Sequence, residues 1–155
     1  MPDNKKSRIK WLWRYSNQDG DSPVAQGKLF TKAKPGKDGF YTVTDIKGKR
    51  DGVNIKELLP AGTGIPGNVD TITGKPYLGD NKIRPQELGR DRGQLTDGGI
   101  IFSMTDGTYS NLFYPDYLAN PTHYEFHTVP PFPAGLTPPN SESLLNFEAW
   151  ITEFS

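Results

Sequence analysis

Gly99-Ile100-Ile101-Phe102-Ser103-Met104-Thr105-Asp106-Gly107-Thr108-Tyr109-Ser110-Asn111-Leu112-Phe113-Tyr114 decides the fold. Two apolar runs flank Asp106-Gly107, the residue pair that a two-residue type I′ turn demands because both its positions need φ > 0. The stretch therefore predicts a β-hairpin.

Outward from it, the same period-2 signal recurs. Ile9, Trp11, Trp13 and Tyr15 share one face of 9–15, with Lys10 and Arg14 on the other. Val24 to Lys32 reads as a second strand, with Gly27 a bulge or a point of close approach. Phe40 to Ile46 is dense in β-branched and aromatic residues, and Val53 to Leu59 follows the Arg50-Asp51-Gly52 turn. Thr122 to Val129 is a further strand. Leu144 to Phe154 alternates Phe147, Ala149 and Ile151 against Glu148, Trp150 and Thr152, which makes it a strand and not a helix. Between Pro60 and Thr96 the chain is rich in Gly and Pro, with only a weak strand signal near Asn81–Arg84. The expectation is an all-β single domain over 1–155 with a long irregular loop at 60–96. Seven to nine short antiparallel strands must curl into a β-barrel or a β-sandwich, because closure hides their edges.

Composition sets the outer limits. The 155 residues suit one domain, and no apolar run of ~20 residues supports a membrane helix. Lys+Arg and Asp+Glu both number 18, so no global charge draws nucleic acid or a membrane. Cys is absent, which removes disulfides, thiol nucleophiles and Cys-ligated zinc. The balance hides a gradient: residues 1–50 hold 12 basic and 5 acidic side chains, whereas 101–155 hold 6 acidic and no basic ones. A last strand beside the first would let the pair Glu148 and Glu153 face the pair Lys10 and Arg14. The other reading of the gradient is self-association into a homo-oligomer. The polar start has no signal peptide, so the localisation stays open: cytoplasmic as written, or exported if a leader has been removed.

One resemblance emerges from Gly39-Phe40-Tyr41-Thr42-Val43-Thr44-Asp45-Ile46-Lys47-Gly48-Lys49-Arg50-Asp51-Gly52-Val53. With Leu58-Leu59-Pro60, Ile65-Pro66-Gly67-Asn68 and Gly99 through Leu112, it resembles the extracellular β domains of PEP-CTERM-sorted exported proteins of photosynthetic bacteria. The likeness spans roughly residues 25–115 and rests on turn and strand motifs. It implies a β fold and export, and it carries over no chemistry.

Candidate chemistry centres on His123-Tyr124-Glu125-Phe126-His127, which holds both histidines of the chain. On a strand His123, Glu125 and His127 share a face, with neighbours about 7 Å apart. The trio suits proton transfer or a divalent metal. The plainer alternative is the solvated face of an edge strand, with Tyr124 and Phe126 inside. Tyr41, Phe102, Tyr109, Phe113, Tyr114, Tyr117 and Tyr124 are the candidate lining of an aromatic pocket, and Asn111–Tyr117 its rim. Asn17, Asp19 and Asp21 lack the Gly and Glu of a calcium loop, and Gly62-Thr63-Gly64 lacks the helix and Lys of a phosphate cradle. The expectation is a barrel that binds a small apolar or aromatic molecule without metal or cofactor. Its alternative is a cofactor-independent cyclase or isomerase of a biosynthetic pathway, with His123, Glu125 and His127 as catalytic acid and base.

Overall fold

A computed structural model describes residues 8–87 and 92–154, with the backbone alone at 153 and 154. The sequence expectations for the polar start and for 88–91 of the long loop lie outside the described residues. Nine strands follow one another: β1 (Arg8–Asn17), β2 (Val24–Lys32), β3 (Tyr41–Arg50), β4 (Val53–Leu58), β5 (Lys82–Ile83), β6 (Ile100–Met104), β7 (Tyr109–Phe113), β8 (His123–Thr128) and β9 (Ser141–Phe154). Eight of them close an antiparallel barrel, in which each strand pairs with its neighbours in chain order once β5 is set aside. β9 returns to pair with β1, and β2 pairs with β3, so the sheet has no free side. β5 is an additional strand on β3, through Tyr41–Ile83. No helix occurs among the described residues, so none is long and apolar enough to cross a membrane.

Alternation sends Ile9, Trp11, Trp13 and Tyr15 of β1 into the barrel, all at most 2 % exposed. Trp13 stands opposite Gly27, and Gly27 opposite Gly48. Both glycines fall at inward positions of their strands, and a Cβ on Gly48 would lie 2.8 Å from Cζ2 of the Trp13 indole. A Cβ on Gly27 would lie 2.0 Å from Lys47 O, so the indole requires the glycine at 48 and the close approach of β2 to β3 requires the one at 27. Trp11 anchors the other end, its indole N–H donating to Thr31 Oγ1 at 3.0 Å.

The hairpin at Asp106-Gly107 is present, but its turn differs from the type I′ expectation. Gly107 alone has positive φ (88°) and its N–H bonds the Met104 carbonyl, while Met104 N–H reaches Thr108 O. This is the three-residue connection with a glycine bulge, favoured because the Asp106 carboxylate accepts from both the amide and the hydroxyl of Thr108. The turn with two positive φ values is the one between β3 and β4, at Asp51 (49°) and Gly52 (80°).

The irregular stretch 60–96 packs against the barrel. Ile65 joins Ile101 and Phe126 in a second apolar cluster on the outer face of β6 and β8. The Asn81 side chain ties it down, donating to Leu59 O and accepting from Ile101 N–H. Ile83 and Leu95 reach the main core. β8 pairs with β9 only as far as Leu145. Farther along, the Gln94 amide donates to Ala149 O at 2.9 Å and accepts from Ala149 N–H at 3.1 Å, which substitutes for a strand. β1 and β9 also set Arg14 beside Glu148 as an ion pair, and Lys10 opposite Glu153 in register.

Candidate functional site

β8 turns His123, Glu125 and His127 into the barrel and Tyr124 and Phe126 outward. This overturns the solvated-face reading. Glu125 is 1 % exposed, and its two oxygens receive Nε and Nη2 of Arg50, each at 2.7 Å. The Tyr15 hydroxyl donates to the same carboxylate at 2.7 Å. Arg50 arrives as the last residue of β3, Tyr15 from the inward face of β1. A buried ion pair costs several kcal/mol in desolvation, so it is retained only with good geometry and further hydrogen bonds, as here. Burial and then the charge of Glu125 push the Tyr15 hydroxyl well above its ordinary value of 10.0. Burial works against the Arg50 charge, but the bonds to Glu125 outweigh it and hold the guanidinium above its usual range. His127 is held beside this pair by Ser110 Oγ, 2.7 Å from its Nδ1. Burial, then the neighbouring Arg50 charge, lower its affinity for a proton.

His123 has different surroundings. Its ring lies between Tyr114 (4.8 Å between centroids) and Phe147 (4.9 Å). Phe147 continues to Tyr15 at 6.4 Å, and Tyr15 stacks on Trp13 at 5.7 Å. Five rings thus form one continuous row. Burial lowers the His123 pKa to about 4, so the ring is neutral at pH 7. Its Nε2 accepts the Gln94 backbone N–H at 3.2 Å, which puts the ring proton on Nδ1. His123 therefore fastens the Gln94 segment to the barrel, and its basic nitrogen is already occupied.

Beside this row lies a cavity of about 510 Å³, opening where β9 runs on past the start of β8. Tyr15, Tyr114, His123, Leu145 and Phe147 form its apolar wall, and Arg14, Gln26, Gln86, Arg92 and Glu148 stand among its polar lining. Gly93 lies on the Tyr114 ring, where a Cβ would come within 2.3 Å of Cγ.

The candidate pocket aromatics do not converge on one cavity. Tyr41, Phe102 and Tyr114 belong to the barrel core, with Tyr41 edge-on to Trp11 at 5.6 Å. Tyr109, Phe113 and Tyr124 point outward because they alternate with the inward Ser110, Leu112 and Glu125. Phe113 stacks on Tyr124, and Phe113 and Tyr117 line a separate outer groove of about 460 Å³. Among the described residues no group of three or more His, Asp or Glu side chains is arranged to hold a metal ion. His123, Glu125 and His127 each have partners of their own.

Sequence reasoning missed Arg50, Gln94 and Phe147 as members of this region. Phe147 was readable from the alternation of β9. Arg50 looked like part of a turn, and nothing local marks Gln94. No family model, curated protein or solved structure matches the chain.

Proposed function

We propose that this protein is a small-molecule-binding β-barrel that takes a flat apolar or aromatic ligand with a polar edge and needs no cofactor. The observation that carries this reading is the ring row Tyr114–His123–Phe147–Tyr15 along one wall of a 510 Å³ cavity. A few hundred Å³ is the usual size of a small-ligand site, and here the rings form one wall while most of the exposed lining is polar, which is why the ligand needs a polar edge. Stacked rings recognise a flat partner at little entropic cost, since they are already ordered. The likeness of residues 25–115 to exported bacterial domains belongs to the same proposal, as a module that works by binding.

The cyclase or isomerase reading has one observation in its favour. Tyr15 lines the cavity and hands its hydrogen bond to Glu125. Yet both Glu125 oxygens are held by Arg50 and His123 Nε2 by Gln94, and His127 is not among the residues that line the cavity. Binding ranks first for that reason.

The test is an NMR screen of neutral aromatic fragments, with Phe147→Ala as the comparison. Hits should shift the His123 and Tyr114 ring signals and weaken about tenfold in the variant, the worth of one lost ring contact. Hits that bind the variant equally well, or none at all, would overturn the proposal.

A further inference from the structure

We propose a second binding site, on the outside of the barrel, for a flat organic anion: an aromatic ring carrying a carboxylate, sulfonate or phosphate. It is a groove of about 620 Å³ across β9, β1, β2 and β3. Register builds it. Trp150 of β9 stands opposite Leu12 of β1, Leu12 opposite Lys28 of β2, and Lys28 opposite Lys47 of β3. The next outward row is Glu148, Arg14, Gln26 and Lys49.

Two independent features specify the ligand. The first is charge. Lys28 and Lys47 are like charges directly opposite each other, an arrangement that destabilises a sheet. Glu148 is engaged by Arg14. No ion pair among the described residues includes Lys28, Lys47 or Lys49. Lys28, Lys47 and Lys49 line the groove and no carboxylate does. Asp45 and Glu148 stand in the neighbouring outward positions, and the Phe30 ring centroid lies 5.9 Å from the Lys28 ammonium. The net field there is positive and draws an anion.

The second is the apolar plate. Trp150 is 41 % exposed on the outer face, beside Leu12, with the Arg14 guanidinium 5.7 Å from its ring centroid as a further cation at the plate. Gly27 and Gly48 present no side chain, so the indole of Trp13 reaches the groove lining from the barrel side. Trp13 itself is 1 % exposed and its Nε1 is buried, so it backs the groove and offers the ligand no donor. A bare inorganic anion would leave the Trp150 ring and the glycine backbone uncovered. A neutral ring would leave the lysines unanswered. A ring bearing an anionic group satisfies both.

The experiment is a titration of the protein with naphthalene-2-sulfonate, followed at the Trp150 indole N–H by NMR. The neutral naphthalene-2-methanol and the variants Lys47→Glu/Lys49→Glu and Trp150→Ala run alongside. These side chains are exposed, so the variants should keep the native circular dichroism spectrum. The sulfonate should bind at least about tenfold more tightly than the alcohol and lose about tenfold in each variant. The proposal fails if the alcohol binds as well as the sulfonate or if either variant binds unchanged. It fails equally if the shifts centre on His123 and Phe147, which would place the ligand in the cavity instead.

Discussion

At the scale of single residues, His123 and Glu125 each make a quantitative prediction. His123 titrates near 4 in the folded protein against an ordinary value of 6.5. Between those values the unfolded chain holds a proton that the folded one lacks, so stability rises with pH through this window. Acidification from pH 6.5 to 4 should cost about 3 kcal/mol from this one group. Depression of the His127 value adds in the same direction. Denaturant melts across that range check the slope, which should flatten in His123→Gln, whose side chain can still accept the Gln94 amide. Glu125 predicts a mutational asymmetry. Removing it alone, as Glu125→Ala, strands the buried Arg50 charge and should cost about 3–5 kcal/mol. Replacing both partners, as Arg50→Met/Glu125→Leu, should cost less than Glu125→Ala alone. Equal losses in the single and double variants would mean that the pair does not behave as a buried ion pair.

At the scale of elements, the strands were legible because alternation is a local signal. Ile9-Lys10-Trp11-Leu12-Trp13 reads as a strand from five residues, and its inward face is correct in the barrel. The inward direction of His123 was not legible, because alternation fixes which residues share a face and not which face is buried. Apolarity argued for Tyr124 and Phe126 inside. The Ile65 cluster reverses that argument, since it buries Phe126 on the outer wall. Only the packing of a loop sixty residues earlier in the chain could have told. Gln94 was invisible for a related reason: its role depends on β8 ending short of Ala149. Gln94→Ala should leave both backbone groups of Ala149 without their partners and cost about 2–3 kcal/mol. Hydrogen exchange localises the effect. The Ala149 amide should lose its protection, while the Trp13 and Phe102 amides exchange at rates changed only by the global loss of stability.

At the scale of the whole molecule, the charge gradient and the barrel closure are one feature. The basic N-terminal third and the acidic C-terminal third meet where β1 and β9 pair, across a separation of 134 residues at Arg14 and Glu148. That pairing brings Ile9 opposite Phe154, so the two ends of the sheet lie side by side. Two chain rearrangements separate closure from mere strand content. Ending the chain before Ser141 deletes β9, which bonds both β1 and β8, and exposes two long edges at once. That protein should fail to fold or should aggregate. A circular permutant opened at the exposed Gly36-Lys37 turn, with Ser155 joined to Met1, keeps every strand and every pairing. In an up-and-down barrel each hairpin is equivalent to the closing pair, so β2–β3 becomes the long-range contact and β9–β1 becomes local. Mean contact separation hardly changes, and with it the expected folding rate. The permutant should therefore fold cooperatively and refold within about tenfold of the parent rate, measured by Trp fluorescence after dilution from urea. A permutant that collapses without a cooperative transition would mean that the β2–β3 hairpin must form before the barrel can close.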